Sequence, residues 1–317
     1  MTKVSVVVPV YNIEDCIDKC LNSLVNQDFD DYEIVVVNDG STDNSQSVVD
    51  EYVKKYPSKV KAYKKKNGGL SDARNYGLSK SCGEYISFVD GDDYVSDKML
   101  NVMYTKALEG YDIVVCNFSK VWEDSKEQFF YNPVISDYRE FMIGFPMAWN
   151  KLYKKSLFDN EFKFKKGILY EDLEFIPSLV LKTHKIGFVE DSLYFYFQRD
   201  SSIMNKSEYD DKFLDIFKVL GSLEGRFIKH KAYDDYKDEF EYLNTEHLLY
   251  SASLRFILFG DKGKELINKS INIIKSKYPN FIQNKYFKKK SLKFKTVCFL
   301  AYKKHFRLLK LLSSLKK

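Results

Sequence analysis

The first 118 residues alternate between short apolar runs and stretches in which apolar residues recur at helical spacing. The runs Val4–Pro9, Glu33–Val37, Val60–Tyr63, Tyr85–Val89 and Asp112–Phe118 predict five buried strands. The amphipathic stretches between them predict helices over residues 15–27, 44–56, 70–80 and 97–109. Alternation of this kind is typical of βαβ units and predicts an α/β fold with a mostly parallel central sheet.

The pattern becomes irregular after residue 120. It predicts helices near 136–143 and 171–182, an extended pair near 186–189 and 193–198, and mostly helix from 207 to 277. This change of pattern divides the chain into an α/β domain over residues 1–205 and a C-terminal helical region over 206–317.

Polar residues follow three of the predicted strands at the point where each strand ends. The first strand runs into Tyr11-Asn12, the second into Asn38-Asp39, and the fourth into Asp90-Gly91-Asp92-Asp93. Ligands of open parallel sheets bind beyond the carboxyl ends of the strands. We therefore expect these side chains to converge on one crevice.

The three carboxylates of Asp90, Asp92 and Asp93 repel one another, and a hard divalent cation would offset that repulsion. Such a cation can bridge diphosphate oxygens and stabilise a departing nucleotide. Arg74, on the third predicted helix, adds a candidate phosphate contact. Taken singly, each feature also fits an ordinary structural role, since Asp and Gly form turns and an arginine often makes a surface ion pair.

Four motifs in this order resemble those of the family 2 glycosyltransferases, which have the GT-A fold. They are Val7–Asn12, Val37–Asp43, Gly69–Gly77 and Phe88–Asp93. The resemblance implies that the chain transfers a sugar from a nucleotide-sugar donor. It covers about residues 3–200 and does not extend to the C-terminal third.

The resemblance also implies roles for single residues. Residues that border or contact the nucleotide would be Pro9, Tyr11, Asn12, Asp39, Asn67 and Arg74. Among them, Asp39 would accept a hydrogen bond from a uracil ring. Asp90-Gly91-Asp92 resembles the DXD motif of the family, with Asp92 as the metal ligand and Asp90 nearer the ribose and a metal-bound water.

Further residues follow from the same resemblance. Asp172 would be the general base that takes the proton of the acceptor hydroxyl, with Glu171 holding the acceptor or the base. Arg199 and Ser202 would close over the diphosphate. Some relatives have His or Arg where Phe197-Gln198 stand here, so the resemblance does not supply a third protein ligand for the metal. Taken alone, Glu171 and Asp172 also fit acids that stabilise the first turn of a helix.

These assignments describe an inverting transferase that uses a UDP-sugar and Mn²⁺ or Mg²⁺. Its acceptor would be a lipid-linked or surface glycan, such as a capsule, an exopolysaccharide or a teichoic acid. An alternative is a non-catalytic protein of the same fold that only binds nucleotide sugars. A nucleotidyltransferase is disfavoured, because Pro9–Glu14 contains neither the Gly nor the Lys of a phosphate-binding loop.

Charge is unevenly distributed along the chain. Residues 285–317 contain twelve Lys or Arg and no acidic residue, and without them the net charge of +5 becomes −7. A helical wheel places basic residues opposite Val297, Ala301 and Leu308, which predicts a basic amphipathic helix for an anionic membrane surface. Packing on its own domain, or on a second copy in a homo-oligomer, is the alternative. Nucleic acid is not an expected partner, since no recognised module accompanies the charge.

The start of the chain and its cysteines bear on localisation. The sequence enters the first strand at once, without the pattern of a signal peptide. Its five cysteines have no metal-ligand spacing and indicate reduced thiols. Both features predict a cytoplasmic protein, peripheral on the inner face of the membrane if the basic segment binds lipid.

Overall fold

The computed structural model describes residues 2–122, 129–131, 137–198 and 209–314. The chain divides into two compact units, residues 1–202 and 203–317. Each unit contains its own buried apolar residues.

The first unit is built on one mixed sheet. In the described residues its strands are β1 Val4–Val10, β2 Tyr32–Asn38, β3 Val60–Lys64, β4 Tyr85–Phe88, β5 Tyr94–Val95, β6 Ile113–Val121, β7 Phe129–Tyr131, β8 Lys151–Lys154 and β9 Ile186–Phe197. Their order is β3-β2-β1-β4-β8-β6-β9-β5, with β7 beside β6. Helices of this unit are α1 Ile17–Val25, α2 Ser45–Lys55, α3 Leu70–Lys80, α4 Met99–Ala107, α5 Tyr138–Ile143 and α6 Glu171–Phe175.

The β-branched runs at β1 and β2 form the centre of the sheet. Every residue of both strands is buried, as expected of strands covered on both faces. Helix α3 lies close against β1 because Gly77 has no Cβ atom. A Cβ atom at this position would clash with the side chain of Val7. This close approach brings α3, and with it Arg74, alongside the carboxyl end of the sheet.

The predicted α/β fold with a C-terminal helical region is confirmed, but its sheet is mixed. Four strand pairs are parallel, and four are antiparallel. Strand β8 comes from the irregular stretch after residue 120 and lies antiparallel between β4 and β6. Because β8 runs the opposite way, its first residue, Lys151, lies at the edge where β4 ends.

The second unit is helical. Its helices are α7 Asp215–Lys229, α8 Lys237–Asn244, α9 Ala252–Phe256, α10 Gly260–Lys277, α11 Lys285–Lys289, α12 Leu292–Tyr302 and α13 Phe306–Ser314, with a π-helical segment at Thr245–Ser251. None of the helices in the described parts of the chain is long and apolar enough to cross a membrane.

The prediction of one continuous basic helix near the C-terminus is wrong. Lys304 adopts a left-handed conformation with φ of 61°, which separates α12 from α13. Val297, Ala301 and Leu308 share one apolar face in the predicted wheel, but Val297 and Ala301 are buried, whereas Leu308 is exposed. A helical wheel assumes one continuous helix, so it cannot assign faces correctly on both sides of a break in the helix. Here the inner side of α12 packs within its own unit.

Candidate active site

The loops that follow β1 and β2 are tied to each other by hydrogen bonds. The amide of Asn12 donates to Ser41 Oγ at 3.1 Å, and the amide of Thr42 donates to Asn12 Oδ1 at 2.9 Å. The amide of Glu14 donates to Asp43 Oδ2 at 3.0 Å. Asn12 has φ of 49°, a left-handed conformation that Asn tolerates better than most residues. These bonds fix a wall of the crevice that includes the exposed side chains of Tyr11 and Asn12.

Asp39, at the end of β2, holds the loop before α3. Its buried carboxylate accepts from the amides of Gly68 at 3.0 Å and Gly69 at 2.7 Å, and from Lys65 Nζ at 2.5 Å. Gly69 has φ of 86°, which an L-residue rarely adopts. Asn67 is exposed within the same loop, and Pro9 is buried in β1. The contact of Asp39 with a uracil ring stays a prediction, because the hydrogen bonds of its carboxylate described here come from residues 65–69.

Arg74 lies at the centre of an acidic cluster. Its side chain is 1% exposed. One guanidinium nitrogen, Nη1, donates to Asp172 Oδ1 at 2.7 Å and to Glu171 Oε1 at 3.1 Å, while Nη2 donates to Asp90 Oδ1 at 2.8 Å. These bonds join α3, the end of β4 and the start of α6. Arg74 thus pairs with three carboxylates, and its contact with a phosphate of the nucleotide stays a prediction.

One guanidinium does not neutralise three carboxylates. Burial together with the surrounding acids therefore governs their protonation. Burial and the neighbouring Asp172 raise the pKa of Glu171 to about 7, although Arg74 opposes the shift. Burial also raises the pKa of Asp172, against the attraction of Arg74. A carboxylate with a raised pKa is a stronger base, which suits proton removal near neutral pH.

The three acids after β4 occupy different environments. Asp90 is half-buried and pairs with Arg74, and Asp92 is also partly exposed. Asp93 instead is buried and accepts from Tyr194 Oη at 2.6 Å and from the amide of Phe197 at 2.8 Å. Burial raises the pKa of Asp93 well above its ordinary value. The expectation that all three acids line the crevice is thus wrong for Asp93, which fastens β9 to the end of β4.

Two carboxylates remain at the predicted metal position. Among the described residues, no three His, Cys, Asp or Glu side chains are placed to hold one metal ion. Asp90 and Asp92 nevertheless supply hard oxygen ligands, and Mg²⁺ commonly binds one or two carboxylates with substrate phosphates and water in its other positions. The residues present therefore fit a divalent cation that also needs ligands from the donor.

Lys151 and the loop before it position Asp172, a connection that the sequence did not reveal. Its buried Nζ donates to the carbonyls of Phe145 at 3.1 Å and Met147 at 2.5 Å, and to Asn150 Oδ1 at 2.6 Å. The next amide in this loop, that of Ala148, donates to Asp172 Oδ2 at 3.1 Å. Burial lowers the pKa of Lys151 to about 7. The sequence signal was the segment from Trp149 to Tyr153, which resembles a family segment near the sugar and the acceptor but does not point to Asp172.

The backbone at the start of α6 is unusual. Tyr170 has φ of 66° and ψ of 35°, a left-handed conformation that is rare for an aromatic residue. The predicted helix over 171–182 is a short α-helix that continues as 3₁₀ turns from Ile176 to Leu181, with Pro177 at their start. The turn at Tyr170 lets Glu171 and Asp172 both reach Arg74. Arg199 and Ser202, predicted to close over the diphosphate, lie outside the described residues.

A GT-A transferase is the class of protein that this sheet and acidic crevice define, and comparison with known proteins agrees. Residues 5–163 match the model of Glycosyl transferase family 2. The chain therefore belongs to family 2 of the glycosyltransferases, as the sequence motifs predict, and it is an enzyme of that kind.

Two bacterial relatives illustrate the similarity. The chain is 34% identical over 220 residues to Glycosyltransferase GlyA of Streptococcus pneumoniae, which covers 63% of this chain and 31% of GlyA. It is 37% identical over 213 residues to the Poly(ribitol-phosphate) beta-glucosyltransferase of Bacillus spizizenii, covering 64% of this chain and 33% of that enzyme. The chain thus spans about a third of each of these two relatives.

Two solved structures share the fold. TarS 1–349 of S. aureus in complex with UDP-GlcNAc has a TM-score of 0.75 and 21% identity, and the match covers 95% of this chain and 89% of that one. The mannosyltransferase PcManGT of Pyrobaculum calidifontis in complex with GDP-Man and Mn²⁺ has a TM-score of 0.56 and 15% identity, over 98% and 84% of the two chains.

Proposed function

We propose that this glycosyltransferase moves a sugar from a UDP-sugar to a hydroxyl of a lipid-linked or surface glycan, with inversion at the anomeric carbon and Asp172 as general base. The observation that carries the proposal is the setting of Asp172. One oxygen accepts from Arg74 and the other from the amide of Ala148, and Asp172 itself is buried.

These two hydrogen bonds orient the carboxylate without using all of its acceptor positions. An ionised carboxylate has about four lone-pair sites, so room is left for the proton of an attacking hydroxyl. Glu171 shares Arg74 with Asp172 and helps to hold the base or the acceptor. Attack from the side opposite the diphosphate then gives inversion, because a single displacement reverses the configuration of the carbon.

The donor would lie against the wall formed by the loops after β1 and β2, near Pro9, Tyr11, Asn12 and Asp39. Asn67, Arg199 and Ser202 are proposed as further contacts. Asp90 and Asp92 would hold Mn²⁺ or Mg²⁺, which supplies charge stabilisation to the departing diphosphate. The UDP-GlcNAc bound to TarS supports a UDP-sugar donor, and the Mn²⁺ bound to PcManGT supports a divalent cation. The Bacillus relative supports a teichoic acid or similar polysaccharide as acceptor.

A panel of nucleotide sugars tests the proposal through the release of UDP with and without Mn²⁺. Wild-type protein should release UDP from at least one UDP-sugar in a metal-dependent manner. Asp172→Asn should lower transfer by about 10²–10⁴-fold while UDP still binds. Asp92→Ala should abolish the metal-dependent part.

Asp191→Asn, which neutralises an exposed acid on β9, is the matched control and should behave as wild type. Transfer by Asp172→Asn within a few-fold of wild type would exclude Asp172 as the base. If wild type and all variants bind UDP but none of them turns over any donor, the result would favour a non-catalytic protein that only binds nucleotide sugars.

A further inference from the structure

The surface formed by α11, α12 and α13 carries charge that the protein leaves uncompensated. Residues 285–314 contain ten Lys or Arg and no acid. Among the described residues, only Lys285 of these ten lies at ion-pair distance from carboxylates, 3.3 Å from Asp238 and 3.5 Å from Glu239. Other lysines of the same unit do pair, as Lys264 does with Asp261 at 2.7 Å. A cluster of unpaired cations favours an anionic partner.

The same surface exposes large apolar side chains. Leu292 is 80% exposed, Phe299 52%, Leu308 54% and Leu311 59%. The described residues expose eleven large hydrophobic side chains in all, so more than a third of them fall within twenty residues. Single exposed apolar residues need no explanation, but a cluster that is rimmed by charge marks an interaction site.

Helical spacing places the exposed apolar side chains of each helix on one face of that helix. Leu292 and Phe299 are seven residues apart and therefore lie on one face of α12, while Leu308 and Leu311 are neighbours on α13. Buried residues on the opposite sides, Val297 on α12 and Leu309 on α13, anchor both helices within their unit. We call the exposed side, with these four apolar residues and the exposed Lys and Arg between 288 and 310, the basic-apolar face.

We propose that the basic-apolar face docks on an anionic lipid membrane. Lysine and arginine there would contact lipid phosphates, and the four apolar side chains would enter the boundary between headgroups and acyl chains. A soluble polyanion would need only the charges and would leave the apolar residues unexplained, which is why the membrane is the favoured partner. The proposal does not depend on the transfer reaction or on the identity of the donor.

Sedimentation of the full chain with vesicles tests the charges. Vesicles of phosphatidylcholine with phosphatidylglycerol should bind wild type, and vesicles of phosphatidylcholine alone should bind it much less. The quadruple variant Lys303→Gln, Lys304→Gln, Arg307→Gln and Lys310→Gln should lose at least about tenfold in affinity. A control with the same charge change in the same unit, Lys218→Gln, Lys237→Gln, Lys262→Gln and Lys264→Gln, should stay within about twofold of wild type.

The double variant Phe299→Ser and Leu311→Ser tests the apolar contribution. It should bind anionic vesicles more weakly than wild type and come off at lower salt, whereas the matched variant Ile228→Ser and Leu258→Ser should not. Equal binding of wild type to both kinds of vesicle, or an equal loss in the charge control, would overturn the proposal.

The proposal would also be overturned if the Phe299→Ser and Leu311→Ser variant bound anionic vesicles as tightly as wild type does and wild type bound soluble polyphosphate as tightly as vesicles. Those two results together would identify a site for polyanions. Donor hydrolysis in solution should be the same for all of these variants. A failure of membrane binding is therefore distinguishable from a failure of the proposed reaction.

Discussion

The acidic cluster around Arg74 and the basic-apolar face handle charge in opposite ways. In the cluster, a guanidinium that is 1% exposed pairs with three carboxylates from two places, the end of β4 and the start of α6. On the basic-apolar face, nine of ten cations have no carboxylate at ion-pair distance in the described part of the chain. Burial is the difference, because a buried charge is costly unless paired, whereas water solvates an exposed one. Charge thus holds the elements of the acidic cluster together, whereas on the basic-apolar face it is available to bind a partner outside the protein.

The largest expected effect is on stability, from replacing the central cation. Arg74→Met leaves three buried or half-buried carboxylates without their partner and should lower the free energy of unfolding by about 3–5 kcal/mol. Urea unfolding at neutral pH measures it. The same replacement at exposed Arg307 should change that free energy by less than about 0.5 kcal/mol. Equal effects at the two arginines would remove the contrast between the regions.

Lys151→Met should act on the reaction through the loop that holds Asp172. Without Nζ, the carbonyls of Phe145 and Met147 lose their donor, and the amide of Ala148 is less firmly placed against the base. We expect kcat to fall about tenfold with the KM for donor unchanged. Lys155→Met is the control, since its Nζ donates to Ser81 O at 2.6 Å without a link to Asp172. A rise in donor KM alone would contradict this role.

Glu171→Gln should change how stability depends on pH. The folded-state pKa of Glu171, about 7, lies above its ordinary value, so the folded protein binds more protons than the unfolded chain at pH values between the two. The contribution of Glu171 to stability is therefore present at low pH and is lost as pH rises towards and through 7. Glutamine cannot lose a proton, so the variant should be more stable than wild type at pH 8 by about 1 kcal/mol.

Urea unfolding of Glu171→Gln at pH 5 and pH 8 measures this difference, which should be largely absent at pH 5. Glu109→Gln, at an exposed glutamate paired with Lys106, should show no such dependence. A variant less stable than wild type at pH 8 would mean that the pairing of Glu171 with Arg74 outweighs its burial.

The smallest expected effect is on the free energy of unfolding, when charges of the basic-apolar face are removed. The quadruple glutamine variant at residues 303, 304, 307 and 310 removes exposed charges that have no ion pairs among the described residues. Its free energy of unfolding should therefore stay within about 0.5 kcal/mol of wild type. A loss above about 1 kcal/mol would show that these cations stabilise the fold and would weaken the case for an external partner.

The sequence predicted the elements that depend on local pattern. Strands β1 and β2 and helix α3 agree with prediction to within a residue, because β-branched runs and the helical spacing are read from neighbours along the chain. The family motifs also identified Asp90 and Asp172 as acids of one site, and the structure joins them through Arg74.

Contacts between distant residues were not predictable in the same way. Arg74 meets Asp172 across 98 positions of sequence, and the burial of Asp93 depends on Tyr194. No local pattern shows that Arg74 pairs with acids so distant in sequence, or tells which of Asp90, Asp92 and Asp93 turns inward. The break between α12 and α13 was missed for a related reason, since a lysine in a left-handed conformation has no sequence signature.

The cross-linked loops after β1 and β2 have a consequence for recognition. Asn12, Ser41 and Asp43 hold these loops together through hydrogen bonds within the protein. A base that docks against them would not have to organise them, so little conformational entropy would be lost from this part of the protein on binding. Selectivity among nucleotides would then come from the fit of a preformed shape, and an ill-fitting base would gain little from adjustment of this wall.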